Sequence, residues 1–311
     1  MPGLELLQAA FFLLLFLAGL HWMSRALART AGPSTKKLLS RAAGNPWCGF
    51  GTGFLATALL QSSSLTTVMV VGLINARVMT MAQGCGVIIG ANVGTTITGQ
   101  LLSFDLHRLA WPFLGLALLM RLLPRVKGNI RRAAAPLAGF ALLLLGLGGL
   151  TGTLASLQRF AFFGKALYFA AAAPWKGLLA GIAAAAALQS SSAVVGIALG
   201  LAREGLITLP AGVIMVIGAD LGTCSTALLA SIGMEATARR AAWFHFFYNL
   251  ISLILALSFY PYLIKLAVIS AGTLPRRLAN AHFLYNLLGA AILLPLLTPL
   301  ARFAGLRGKG G

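Results

Sequence analysis

The tetrapeptide Gln-Ser-Ser-Ser occurs at Gln61–Ser64 and again 128 residues later at Gln189–Ser192. Each copy presents one amide and three hydroxyls, and a hydroxyl donates once and accepts twice. Such a cluster can hold a small hard cation through oxygen, or an oxyanion through O–H. A second motif repeats in the same register, as Gly90-Ala-Asn-Val-Gly-Thr95 and Gly218-Ala-Asp-Leu-Gly-Thr223. Two motifs in one register indicate a duplicated unit. Helix packing by small polar residues would account for a lone Ser-Ser-Ser, and for Gly-x-x-x-Gly spacing by itself. It does not account for paired motifs in register. Polar groups placed twice in a hydrophobic duplicated chain point to a transporter of two repeats, in which broken helices free carbonyls for cations and N–H groups for anions.

The elements that must position these groups cross a membrane. Hydrophobic residues make up 59% of the chain and charged residues 9%, with mean hydropathy +0.90. A soluble domain carries about 25% charged residues. Several apolar runs reach the roughly 20 residues that a helix needs to span a bilayer. The first, Leu4–Leu20, has no basic residue before it, so it reads as a retained helix rather than a cleaved signal. Cys48, Cys85 and Cys224 are too scattered for a disulfide framework or a zinc site. The formal charge of +19 lies in short loops between apolar runs, a pattern that the positive-inside rule explains and nucleic-acid binding does not.

That rule sets an expected topology. Segments 4–23, 81–103, 109–121, 133–152, 207–232, 241–260 and 278–300 cross. Segments 47–75 and 177–201 are re-entrant hairpins with Gln-Ser-Ser-Ser at the tip, entering from opposite faces. The basic stretches 25–41 and 121–132 are then cytoplasmic, and 16 of the 24 Lys and Arg fall on that side. The expected fold is an all-α polytopic membrane protein of two inverted repeats, each with a re-entrant helical hairpin carrying Gln-Ser-Ser-Ser and a broken helix. The repeats are 1–124 and 125–311, the second including a C-terminal helix and a short basic tail. Arg108-Leu-Ala-Trp111 and Arg240-Ala-Ala-Trp243 extend the duplication, and His245-Phe-Phe-Tyr-Asn249 resembles His282-Phe-Leu-Tyr-Asn286.

The paired motifs resemble those of the type II sodium/phosphate cotransporter family, whose members carry two Gln-Ser-Ser-Ser copies, each followed by a Gly-(Ser/Ala)-Asn-(Ile/Val)-Gly-Thr stretch. The resemblance covers roughly residues 50–105 and 178–235. It implies a multi-pass protein of the plasma membrane that takes up inorganic phosphate with sodium as the coupling ion, at one central site and without another cofactor. By position, Gln61, Ser62, Ser63 and Ser64 with Gln189, Ser190, Ser191 and Ser192 would line that site. Thr67, Asn92, Thr95, Thr96, Asp220, Thr223 and Thr226 would complete the phosphate and sodium sites, sodium falling to Asp220, Gln61 and Gln189. Asp220 stands where the motif has Asn, Cys224 stands opposite Thr96, and Ala193-Val-Val-Gly196 lacks the hydroxyls of Thr66 and Thr67. These departures bear on the number of sodium ions. Many bacterial relatives carry a PhoU-like domain after the membrane core; this chain ends without one, which leaves room for a separate PhoU-like partner.

Asp220 is the one acidic residue expected mid-span, and such acids serve a pathway or pair with a buried base. His245 and His282 are expected to tie helices together by hydrogen bonds. A same-fold carrier of another oxyanion, or one coupled to protons, is the nearer alternative. An intramembrane serine hydrolase using His245 and Asp220 is the remote one, and it leaves the duplication unexplained. The chain is not read as an enzyme.

Overall fold

The computed structural model describes residues 2–40, 45–123, 128–165 and 173–303, and no strand occurs among them. The first half consists of α1 (Pro2–Ser40), α2 (Pro46–Leu60), α3 (Ser63–Asn75), α4 (Met81–Ser103), a 3-10 turn at His107–Leu109 and α5 (Ala110–Leu122). The second contains α6 (Gly128–Leu157), α7 (Pro174–Leu188), α8 (Ser191–Arg203), α9 (Leu209–Ala230), α10 (Ala236–Ser258), α11 (Tyr260–Ser270) and α12 (Leu274–Phe303). Six helices among the described residues, α1, α4, α6, α9, α10 and α12, are long and apolar enough to cross a membrane. The protein is therefore a multi-pass, all-helical membrane protein.

The 128-residue register persists in local geometry. α2 begins at Asn45, whose Oδ1 accepts from Cys48 N at 2.9 Å, followed by Pro46. This is the helix-starting chemistry of an Asx cap and a first-turn proline. α7 begins with the equivalent Pro174. Thr80 caps α4 and Thr208 caps α9, both at φ −77° and ψ 158°.

The glycine motifs do not break their helices. α4 runs unbroken through Gly90–Thr95, and α9 through Gly218–Thr223. The glycines serve close approach instead. A Cβ on Gly90 would lie 2.0 Å from the Phe50 carbonyl oxygen of α2, and one on Gly53 2.1 Å from the Val87 carbonyl of α4. Gly218 and Gly181 repeat this between α9 and α7. Contact at that range is open only to glycine. The interruption falls at Gln-Ser instead, between α2 and α3 and between α7 and α8.

Three further differences concern length. The segment expected to cross at 109–121 is α5, with 13 residues; at 1.5 Å per residue this covers about 20 Å of a core about 30 Å thick. The 3-10 turn before it carries the seam on, since His107 faces Gly148 of α6. The basic stretch after the first span continues α1 as helix to Ser40. The short helix α11 occupies a stretch read as a loop.

α1 and α6 form a second close pair. Phe16 meets Gly146, Gly19 meets Leu143 and Met23 meets Gly139, so the two helices run antiparallel. The main core joins this pair to α8, α9 and α12 through Phe16, Leu143, Leu199, Ile217 and Tyr285.

Candidate functional site

Each Gln-Ser-Ser-Ser forms a helix break of the same shape. Gln61 ends α2 at φ 53° and ψ 32°, and Gln189 ends α7 at φ 50° and ψ 33°. A non-glycine residue seldom adopts this left-handed conformation. The next residue is extended and caps the following helix: Ser62 Oγ accepts from Leu65 N at 3.2 Å, and Ser190 Oγ from Ala193 N at 3.2 Å. A helix start leaves its first N–H groups without intrahelical acceptors and carries partial positive charge, while a helix end leaves carbonyls and partial negative charge. Each break therefore offers both kinds of terminus within a few residues.

The two breaks meet. All eight residues of the two motifs line one cavity of about 570 Å³, closed on another side by α1, which contributes His21 and Ser24. Ser24 Oγ lies 3.5 Å from the Gln61 carbonyl oxygen. A second cavity, of about 470 Å³, shares His21, Ser24 and Ser62 with the first and continues to Arg25 and Arg29. The central cavity thus communicates with the basic end of α1.

The copies differ in detail. The Gln61 side chain is buried and anchored: Thr98 Oγ1 donates to Oε1 at 2.9 Å, and Nε2 donates to the Ala58 carbonyl at 2.6 Å. Thr57 Oγ1 donates to Thr66 Oγ1 at 3.0 Å and ties α2 to α3. The second copy has Ala185 and Val194 at those two positions. Gln189 is exposed to the cavity. Thr226, 128 residues after Thr98, has a buried hydroxyl without a partner.

The remaining expected site residues divide. Thr95 approaches the motif, with Ser63 Oγ 3.4 Å from its hydroxyl. Thr67 is a buried residue of α3 whose hydroxyl has no partner among the described residues. Asn92, Thr96 and Thr223 are buried and bonded back to their own helices, at the carbonyls of Ile88, Val93 and Ala219. None of these, nor Thr226 or Asp220, lines the central cavity. Thr98, His21 and Ser24 were absent from the expected set. The duplication register pointed to the first, as the counterpart of Thr226; the other two are polar residues in an apolar helix.

Asp220 sits in a different place. It is buried between α9 and α12, and its Oδ2 accepts from the Tyr285 hydroxyl and from Asn286 Nδ2 at 3.0 Å, with His282 Nε2 at 3.1 Å. Among the described residues, no arginine pairs with it. The second His-x-x-Tyr-Asn segment supplies all three partners from one face of α12. The other approaches through Asn249, whose Nδ2 lies 3.3 Å from Cys224 Sγ. Hydrogen bonds to a charged group contribute about 1.5–3 kcal/mol each, against about 1 for neutral pairs. Asp220→Asn is therefore expected to lower the melting temperature of the purified protein, by the equivalent of about 2 kcal/mol, with sodium dependence unchanged. Altered sodium affinity at an unchanged melting temperature would make Asp220 a cation ligand instead.

Comparison with known proteins bears on the family of the chain. Residues 15–152 and 155–274 match the family model described as Na+/Pi-cotransporter. Protein YqeW of Bacillus subtilis (strain 168), which has no assigned role, is 27% identical over 82% of this chain and 83% of its own length. YjbB of Escherichia coli (strain K12), whose name offers inorganic phosphate export as a provisional role, is 28% identical over 96% of this chain. The chain spans 55% of YjbB's length. Sodium-dependent phosphate transport protein 2B of Homo sapiens is 33% identical over 94 residues, 30% of this chain and 14% of that protein. No solved structure matches. With both halves of the chain matched, the protein belongs to the Na+/Pi-cotransporter family.

Proposed function

We propose that the chain is a sodium-coupled carrier of inorganic phosphate in the cell membrane, working by alternating access. The observation that carries this reading is the convergence of both Gln-Ser-Ser-Ser breaks on one cavity. Phosphate would lie against the starts of α3 and α8, where first-turn N–H groups and the hydroxyls of Ser62–Ser64 and Ser190–Ser192 supply donors. Sodium would use oxygens at the ends of α2 and α7, among them the Gln61 carbonyl, with the Gln189 side chain reaching across. Asp220 would stand outside this set, tying α12 to α9 through its hydrogen bonds.

The repeats would be inverted, as 1–124 and 125–311. α1 and α6 occupy equivalent places under the 128-residue offset and run antiparallel, as inversion requires. α2–α3 and α7–α8, with helices of 13 to 15 residues, would then be re-entrant hairpins from opposite faces. Arg25 and Arg29 mark the cytoplasmic end by the positive-inside rule, so the cavity that reaches them is the inward-facing one.

Energetics favour more than one sodium per phosphate. Moving a charge against 100 mV costs about 2.3 kcal/mol, so divalent phosphate entering a negative interior costs roughly 4.6 kcal/mol. Two sodium ions cancel that term and a third adds drive. Export is the second reading, favoured by the name of YjbB. In proteoliposomes, labelled phosphate is expected to accumulate when sodium is imposed outside and not when potassium replaces it at the same pH. Equal movement in both salts would remove the sodium coupling, and sodium-independent efflux alone would favour export.

A further inference from the structure

A third cavity, of about 420 Å³, lies between α1, α5 and α6, away from the Gln-Ser-Ser-Ser motifs. Four arginines line it: Arg29 of α1, Arg121 in the last turn of α5, and Arg131 and Arg132 in the first turns of α6. Apart from Thr30, whose hydroxyl donates to the Ala26 carbonyl of its own helix, the rest of the wall is apolar, formed by Trp22, Leu118 and small alanines. Trp22 is 50% exposed and Leu118 56%, so this wall opens where lipid would lie.

Among the described residues, no acidic side chain neutralises these four charges. The sequence has five acidic residues. Glu5 pairs with Arg159, Glu235 with Arg77, Asp105 lies by His107 and Arg203, Asp220 is buried against α12, and Glu204 ends α8. No carboxylate lines the cavity. Arg131 and Arg132 also stand at the positive end of the α6 dipole, where cations are disfavoured. Four guanidiniums gathered beside a low-dielectric wall repel one another unless an anion joins them. Guanidinium binds phosphate oxygens in bidentate fashion, and the apolar wall suits an acyl chain. Tryptophan and arginine at the ends of apolar helices mark the level of lipid headgroups.

We infer that this cavity is a binding site for an anionic phospholipid, its headgroup phosphate held by Arg29, Arg121, Arg131 and Arg132 and its chain laid along Trp22 and Leu118. Arg29 also lines the second cavity, whereas Arg121, Arg131 and Arg132 line neither that one nor the central one, so the test is made on them. A basic pocket between membrane helices on the cytoplasmic side is the setting in which such headgroups are recognised.

The test is lipid retention. Protein purified from nanodiscs of phosphatidylcholine with an equal share of phosphatidylglycerol is expected to keep phosphatidylglycerol selectively, read by native mass spectrometry. Arg131→Gln with Arg132→Gln should weaken retention at least tenfold, taking roughly fivefold per arginine near a charged surface. Arg121→Gln, on the exposed last turn of α5, repeats the measurement if the double variant does not fold. Equal retention by wild type and variants, or no preference for phosphatidylglycerol over phosphatidylcholine, overturns the inference. Complete displacement of the lipid by millimolar inorganic phosphate also overturns it, and assigns the arginines to free phosphate.

Discussion

Replacing Gln189 by glycine is expected to leave the protein folded and inserted but to cut transport by roughly one to two orders of magnitude. Gln189 holds φ 50° and ψ 33°, a left-handed conformation that costs a side-chain-bearing residue roughly 1–2 kcal/mol relative to glycine. Its side chain faces the cavity and anchors nothing, so glycine removes strain and no structural bond. A residue kept in an unfavourable conformation where glycine would be easier is kept for its side chain. Loss of one polar contact to an ion is worth about 1.5–3 kcal/mol, so uptake should fall roughly 10- to 100-fold while the melting temperature holds or rises. Gln61→Gly gives the contrasting result. It also severs the bonds to Thr98 and Ala58, so stability falls together with transport. Normal phosphate uptake by Gln189→Gly in proteoliposomes would reduce the motif to helix packing.

The largest effect on folding is expected from Gly90→Ala. The added methyl would stand 2.0 Å from the Phe50 carbonyl oxygen, a backbone atom that cannot swing aside as a flexible side chain would. α2 must move off α4, carrying the first break with it. Overpacking of this kind costs about 1–3 kcal/mol and occasionally more; the upper end is expected here because backbone is the obstacle. Gly115→Ala on α5, which meets nothing within 4 Å, is the control and should be neutral or slightly stabilising. Thermal unfolding of the two variants in one detergent separates them. Equal melting temperatures would mean that α2 and α4 are not held at glycine contact in the working protein.

What the sequence made legible followed from register. The two Gln-Ser-Ser-Ser motifs and the glycine pairs recur in the same local geometry at the 128-residue offset, and the motifs converge on one cavity. The location of the helix break was not legible from the glycines. Gly90 and Gly94 suit an unwound turn and a close contact equally well, and only the position of Phe50 in space decides between them. The break falls at Gln61, a residue whose propensity argues against a left-handed backbone, so local preference pointed elsewhere. Thr98 was within reach, because Thr226 was chosen and the offset maps one onto the other. His21 and Ser24 were hidden by the apolar run around them, which reads as a plain span. Asp220 was visible as an anomaly, but its partners His282, Tyr285 and Asn286 lie more than sixty residues away, and no periodicity links them. The short helices α5 and α11 fall below the length at which hydropathy distinguishes a span from a surface or buried piece.

The size of the central cavity bears on where selectivity arises. At roughly 30 Å³ per molecule of liquid water, 570 Å³ corresponds to on the order of twenty waters. An oxyanion in such a space keeps most of its hydration shell, and the serine hydroxyls replace only part of it. Anions of similar charge and radius are then poorly distinguished in this state, because water mediates much of what they meet. On the proposed alternating-access reading, discrimination would belong to the step in which the space contracts and the shell is stripped, when protein donors must take the place of every lost water. Phosphate and its mimics should therefore differ more in turnover than in equilibrium affinity for the open form.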